Sequence, residues 1–498
     1  MSTLPTFSLD TPPADADSLH SGHNFREVAP ELLSPFSWSI IGAGMEQGFR
    51  AAARDFGRQK PHGARPHFVS YYGFRPYFAM TGVERLADEL LFVDPADIWD
   101  LLLGGPGPTI SREKRPGRLH RAARLPGALS FLRTNSHAFG EAQAQLDAAE
   151  RAVLAALDSG SAWQTGVACE AAVAAGRSAW SLHIRTTSVA LVAASAVRAL
   201  LRVQFDDATA LELLRASAHR KDDGQGGSAR VGALNIEADR LNNYEVADAS
   251  EPFSRFSAVA LSAAASVLQG RTGPGKALVA EPATVPTGTA LGPVFERAVR
   301  FLGLALGERE RSKEVGLRAL HCTRLLLDRG MFGADPGTAS LLGVTELRDL
   351  GEKQRRRLVD SRLEELDEAA QLDYPVDLLH SRRGPAELPR PSAAATGAGT
   401  ALAPGWAEGV LVRESDGEAG RIVVGDRVDG NYVLAVLPDG VVSRYGSVLS
   451  HVAIVCRELG IPFVAGIPVP KEQLGRTGVV DGWTGLLTVG PAAVGSGP

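Results

Sequence analysis

Few orders of residues leave a chain as little choice as Ser450-His451-Val452-Ala453-Ile454-Val455-Cys456-Arg457-Glu458-Leu459-Gly460-Ile461-Pro462. Ser450 suits the N-cap of a helix, where its hydroxyl takes a first-turn N–H that no carbonyl can reach. Val452, Val455, Cys456 and Leu459 recur at i, i+3, i+4 and i+7 and so share one buried helical face. Gly460 suits the position just past the last turn, and Pro462 prevents continuation. The run from Tyr445 to Gly466 therefore reads as a loop, a short helix and a strand. His451 falls in the first turn, where unpaired N–H groups and the helix dipole favour an anion and disfavour an imidazolium. A neutral, nucleophilic imidazole is thus held where a phosphoryl group is welcome. The plainer alternative is a capping or buried histidine on a core helix.

The same run resembles the phosphohistidine, or swivelling, domain of phosphoenolpyruvate-utilising enzymes. That family includes pyruvate phosphate dikinase, phosphoenolpyruvate synthase and the rifampin phosphotransferases. Its string is Gly-Gly-x-x-Ser/Thr-His-Ala-Ala-Ile-Val-Ala-Arg-Glu-Leu-Gly-Ile-Pro-x-Val-x-Gly. Gly446, Ser450-His451, Ala453 to Val455, Arg457 to Pro462, Val464 and Gly466 match it. Ser447 stands for the second glycine, and Val452 and Cys456 each stand for an alanine. The resemblance implies that His451 carries a phosphoryl group and that Ser450 and Arg457 help to stabilise it. Ala403-Pro404-Gly405 with Gly409, and Asp481-Gly482 with Gly485, resemble the opening and closing turns of the same domain.

A weaker resemblance lies near the N-terminus. His23 to Ser39 resembles the opening of the helical acceptor-binding domain of rifampin-phosphotransferase-like proteins. On that resemblance the aromatic run Val69 to Phe78 forms a hairpin, and Tyr72, Arg75 and Tyr77 become candidates for an acceptor site. A hydrophobic hairpin core is the commoner use of such a run. Arg271 and Lys276 stand near places where the resembling domains carry other polar residues, and they complete the candidate set.

Two glycine-rich strings imitate nucleotide sites and lack the context. Gly42-Ala43-Gly44 is not followed by a second strand ending in an acid, so its glycines read as packing and turn residues. Gly270 to Lys276 is followed by Ala277, where a P-loop needs a hydroxyl for magnesium, and a helical pattern precedes it. An oxidoreductase reading rests on the first string alone and is set aside.

The chain has 498 residues, 44% of them hydrophobic, which suits two or more globular domains. A net charge of −5 gives no footprint for nucleic acid or an anionic membrane. Cys169, Cys322 and Cys456 lack metal-ligand spacing, so no metal site is expected, and they suit a reducing compartment. The polar N-terminus is unlike a signal peptide, and apolar runs such as Val189 to Leu201 are too short and too interrupted by arginine to span a bilayer. A cytoplasmic location is expected. Residues 1–20 read as a flexible tail, 21–388 as a mainly helical acceptor-binding-like domain, 389–404 as a Pro/Ala/Gly-rich linker, and 405–498 as the phosphohistidine domain. The expected fold is multidomain, with a mainly α-helical N-terminal domain followed by a small α/β (β/β/α) swivelling domain. Its strands are expected at Gly409 to Arg413, Arg421 to Val424, Tyr432 to Leu437, Val441 to Ser443, Val479 to Asp481 and Leu486 to Val489.

The resemblance implies a phosphotransferase of dikinase or phosphoenolpyruvate-synthase type. No ATP-grasp-like sequence is visible, so an ATP-grasp protein acting in trans is expected to hold ATP and Mg2+ and to charge His451. This chain itself is expected to bind no cofactor. The phosphoryl group would pass to a small-molecule acceptor; neither nucleic acid nor membrane is an expected partner. The competing reading is a degenerate, non-catalytic relative that binds a ligand or a protein. Calorimetry of the purified chain with Mg-ATP should accordingly show no micromolar binding. Such binding would place a nucleotide site in the helical region.

Overall fold

A computed structural model describes residues 4–12, 18–28, 32–55, 67–88, 93–102, 125–203, 292–372, 374–381, 384–387, 399–413, 421–426, 430–447 and 450–490, with single positions at 205, 210, 214 and 428. The chain is mostly helical, with a β-rich C-terminal domain.

The N-terminal half grows from one close helix contact. Helix α1 (His23–Val28) leads to α2 (Pro35–Asp55), which packs on the long helix that follows two residues after α5 (Leu125–Ser159), namely α6 (Ala162–Leu201). Gly44 and Gly48 sit one helical turn apart on α2. A Cβ on Gly44 would come within 2.5 Å of the Arg177 carbonyl oxygen, and one on Gly48 within 2.6 Å of the Ser181 oxygen. The glycines thus let α2 lie on the backbone of α6, so these residues serve packing and make no turn. Helix α7 (Gly292–Leu327) covers another side of α6. It is continuous through Gly307.

Two buried ion pairs fix the helices laterally. Arg318 on α7 donates to Glu150 on α5 from Nε and Nη2, at 3.1 and 2.6 Å. Arg198 on α6 meets Asp97 of α4 (Pro95–Leu102), the helix after α3 (Met80–Asp88), at 2.9 Å. Burial raises the Asp97 carboxyl above its usual range, and Arg198 opposes that effect. Breaking such a pair strands a buried charge. Among the described residues α6 alone contains a stretch long and apolar enough to cross a membrane, longer than the Val189 to Leu201 run indicates. Much of it is buried in the protein, beside α2, α5 and α7.

Beside the helices lies a five-stranded sheet of β1 (Ser18–Ser21), β2 (Val69–Tyr72), β3 (Arg75–Ala79), β4 (Asp377–Ser381) and β5 (Gly384–Glu387). The order is β2-β3-β1-β4-β5, and each neighbouring pair is antiparallel. β1 is the central strand, which corrects the expectation of a flexible tail over residues 1–20. Upstream of it, Leu4 donates its N–H to Pro385 on one edge strand, and Thr11 donates to Tyr71 on the other. Four interstrand steps of about 4.8 Å come to about 19 Å, within the reach of seven extended residues at about 3.3 Å each. Phe7 is buried midway, edge-on to Phe74. The polar composition of this segment hid Leu4, Phe7 and Leu19, whose partners lie far away in sequence.

Two more helices, α8 (Val344–Asp349) and α9 (Glu352–Gln371), precede β4. The C-terminal domain is a seven-stranded sheet. Its strands are β6 (Thr400–Ala403), β7 (Trp406–Arg413), β8 (Arg421–Gly425), β9 (Gly440–Ser443), β10 (Phe463–Ala465), β11 (Thr477–Asp481) and β12 (Leu486–Val489), in the order β12-β11-β7-β8-β9-β10-β6. The middle strands β7, β8, β9 and β10 are parallel, and antiparallel pairs close both sides. Parallel neighbours need crossovers. Helix α10 (Gly430–Val436) supplies the one from β8 to β9, and α11 (His451–Leu459) the one from β9 to β10. The strand expected at Tyr432 to Leu437 is therefore a helix. Its apolar run is too short for periodicity to separate the two states, and the topology decides. The expected linker, 389–404, also shrinks: residues 388–398 lie outside the described set, and Thr400–Ala403 is strand β6, paired with β10.

Gly44→Val should destabilise the N-terminal half by about 1–3 kcal/mol, the usual cost of forcing atoms into a packed site. Gly307→Ala, where an added Cβ meets nothing within 4 Å, should stabilise by about 0.5–1 kcal/mol. Urea unfolding of both variants measures this, and equal effects would refute the close-contact account.

Candidate functional site

Strand β9 ends at Ser443, and a loop that opens at Arg444 precedes α11, which starts at His451 after its N-cap Ser450. The loop rests beside the one that follows β8: Arg444 N–H bonds the Gly425 carbonyl at 3.0 Å, and Tyr445 N–H bonds that of Asp426 at 3.1 Å. The start of α11 thus lies beyond the carboxyl ends of two adjacent parallel strands. In open α/β sheets that crevice is where ligands bind.

Local contacts hold the helix start as the sequence predicts. Ser450 has φ −67° and ψ 151°, and its Oγ accepts the Ala453 N–H at 3.2 Å. His451 is the first helical residue. At the other end Gly460 adopts φ +68°, and the Ile461 N–H bonds the Cys456 carbonyl at 2.8 Å. Burial pushes the Cys456 thiol far above its ordinary range, so it packs as an apolar group. Gly446 presses the loop onto the sheet. A Cβ there would stand 2.9 Å from that of Ala465 and 3.0 Å from Leu402 Cδ1.

Arg457, which the resemblance expects to help stabilise the phosphoryl group, makes a contact within the fold. It lies in the last turn of α11, is buried, and donates from Nη1 to the Leu402 carbonyl at 2.9 Å. It ties the helix to edge strand β6, at the opposite end from His451.

The loop before α11 meets the N-terminal half. Tyr445 stands edge-on to His23 with ring centroids 5.4 Å apart, and the Arg444 guanidinium lies 5.3 Å from the Tyr445 centroid. His23 Nε2 is 3.7 Å from Asp377 Oδ2, and the two residues are only 5% and 3% exposed. His23 opens α1, and Asp377 opens β4 opposite Ser21 in the sheet register. Sequence reading did not single out this pair. Its members are more than three hundred positions apart, and only the β1–β4 pairing brings them together.

The acceptor candidates divide between structure and undescribed chain. Arg75 donates to the carbonyls of Gly73, Ala369 and Leu372. Tyr77 donates its hydroxyl to the Pro375 carbonyl at 2.8 Å. Both tie the β2–β3 hairpin to the segment between α9 and β4, which is the hydrophobic-hairpin use of the run. Tyr72 is buried, with its hydroxyl 2.7 Å from His380 Nδ1. Next to it His20 contacts Ser18 at 2.7 Å and Ser70 at 2.8 Å. Burial pushes the His20 imidazole down to about 3, so this is a neutral network inside the fold. Arg271 and Lys276 lie outside the described residues. A small cavity of about 10 Å³ beside Asn24, His183, Thr187 and Arg309 has room for about one water. His183 is buried there, pushed down to about 3, and bonded to Ser312 at 3.1 Å. Among the described residues no group of three His, Cys, Asp or Glu side chains is placed to hold a metal ion.

Residues 417–485 match the family model described as "PEP-utilising enzyme, mobile domain". Two curated proteins, each called "Phosphoenolpyruvate-dependent phosphotransferase system", are similar over 78 residues. The one from Salmonella typhimurium is 45% identical and the one from Escherichia coli 44%. The shared stretch is 15% of this chain and 10% of each relative, so the likeness concerns a single domain.

If Arg457 serves the fold, Arg457→Met leaves the Leu402 carbonyl buried without this donor. The cost should be about 1–3 kcal/mol, read as a lower urea midpoint for the C-terminal domain. Unchanged stability would return the residue to the phosphate-binding set.

Proposed function

We propose, from the premise that residues 417–485 belong to the mobile-domain family of phosphoenolpyruvate-utilising enzymes, that this chain carries a phosphoryl group on His451. The observation that carries the reading is the place of that histidine. It is the first residue of a helix capped by Ser450, beyond the carboxyl ends of parallel strands, inside the matched segment. In that position the imidazole attacks a phosphorus atom. A nitrogen–phosphorus bond forms, the bond to the donor oxygen breaks, and the electron pair leaves with the donor. The reverse pattern delivers the group to an acceptor, so one transfer is split into two. The helix start favours the anion during both steps.

The proposed donor is ATP with Mg2+ held by an ATP-grasp protein in trans, and the proposed acceptor is a small molecule. The relatives' name raises phosphoenolpyruvate as a second donor, and the matched stretch does not separate the two. The contact of Tyr445 with His23 supports an acceptor side on the N-terminal half, since the loop before the carrier helix already rests there. The Pro-, Ala- and Gly-rich sequence between Glu387 and Gly399 is the proposed tether that lets the domain swivel. One finding favours the non-catalytic reading: Arg75 and Tyr77 are engaged in the fold, which leaves the acceptor site without them.

Incubation with the ATP-grasp partner and γ- or β-labelled ATP, or with labelled phosphoenolpyruvate, should place acid-labile, base-stable label on the wild-type chain. His451→Ala should take up none. Label that persists in this variant would sink the proposal.

A further inference from the structure

Three serine hydroxyls lie around the turn into α11, and two are committed. Ser443 Oγ donates to the Tyr445 carbonyl, and Ser450 Oγ accepts the Ala453 N–H. The third belongs to Ser447. This residue is 0% exposed, and its Oγ has no hydrogen-bond partner among the described residues. A buried hydroxyl without a partner destabilises the fold by its lost hydration. Here it stands where the resembling string has glycine, a residue that would avoid the cost.

The turn keeps Ser447 close to the helix start. Ser450 donates its N–H to the Ser447 carbonyl at 3.1 Å, the kind of bond that closes a four-residue turn. The end Cα atoms of such a turn lie within about 7 Å. Gly446, wedged against Ala465, Leu402 and Phe463, leaves the loop no room to back away from the sheet. An α-helix begins with four N–H groups that have no carbonyl partner. Those of Ser450 and Ala453 are bonded within the turn, and the two between them belong to His451 and Val452.

We propose that the Ser447 hydroxyl is a catalytic ligand of the phosphoryl group, donating a hydrogen bond to one of its non-bridging oxygens while the group sits on His451. The inference rests on the carrier reading above. Bond making and breaking stay as in that reading, and the Ser447 proton remains on its oxygen. The incoming anion gives the stranded hydroxyl its partner. A hydrogen bond to the charged form also favours that form, so it lowers the pH at which the phosphoryl dianion takes up a proton.

The test uses the full chain and phosphoramidate, a small phosphoryl donor that needs no partner protein, followed by phosphorus NMR. In the wild-type chain a phosphohistidine resonance should appear and be absent from His451→Ala. Ser447→Ala and Ser447→Gly should form it about tenfold more slowly, the effect of losing one hydrogen bond to a charged group. Both should titrate their phosphoryl resonance at a higher pH than wild type. Both should also melt no lower than wild type, because the removed hydroxyl had no partner in the unphosphorylated fold. Wild-type rates and midpoints in both variants would overturn the proposal and leave the carrier reading standing. A lower melting temperature in both variants would show a hydroxyl that holds the loop, and would overturn it too. Absence of a phosphohistidine at His451 in the wild-type chain would overturn the carrier reading together with the proposal.

Discussion

Two glycines on one helix let it lie directly on the backbone of another, and the N-terminal half is arranged around that contact. With Gly44 and Gly48 against the Arg177 and Ser181 carbonyls, α2 has one position on α6. Trp180 is trapped next to it, with Gly316 of α7 approaching its indole. Interiors packed to this density have little slack, so α1 and the central sheet inherit the placement. His23, at the start of α1, and Asp377, at the start of β4, therefore reach the C-terminal domain as a fixed pair.

The C-terminal domain solves a different problem, which is to present one residue on a rigid base. Parallel strands β8 and β9 bring two loops side by side, and α11 begins above them. Ser450 secures the first turn, Gly446 presses the loop onto the sheet, and Arg457 binds the far end of the helix to β6. The closing hairpin completes this support: a Cβ on Gly482 would fall 2.1 Å from the Ala403 carbonyl oxygen. Sites built on regular elements hold their geometry better than sites on loops. Here the proposed carrier residue, His451, is the first of a helix and only its approach is a loop.

What could be read in advance follows from the range of the interactions. The cap, face and stop of α11 are written within thirteen consecutive residues, and the structure has all three. The packing role of Gly42 to Gly48 was legible by elimination, because no second strand follows. Three features were illegible for a shared reason. β1 is a strand only because β3 and β4 flank it. Tyr432 to Val436 is helical because a parallel crossover must be made. Arg457 matches the resembling string, whose spacing does not reveal its bond to the Leu402 carbonyl. In each case a partner distant in sequence makes the decision. The His23–Asp377 contact with Tyr445 is the extreme instance, since three separate segments meet there.

The central claim is that the phosphoryl group on His451 is an intermediate and not a side product. The most direct measurement is a chase with the phosphorylated chain freed of nucleotide and partner. The labelled chain is mixed with the proposed ATP-grasp partner, the dephosphorylated nucleotide product and unlabelled inorganic phosphate, and label in nucleotide is followed by rapid quench. The account predicts that label returns to nucleotide at least as fast as the overall exchange reaction. Label that stays on the protein, or leaves only as inorganic phosphate, would contradict it.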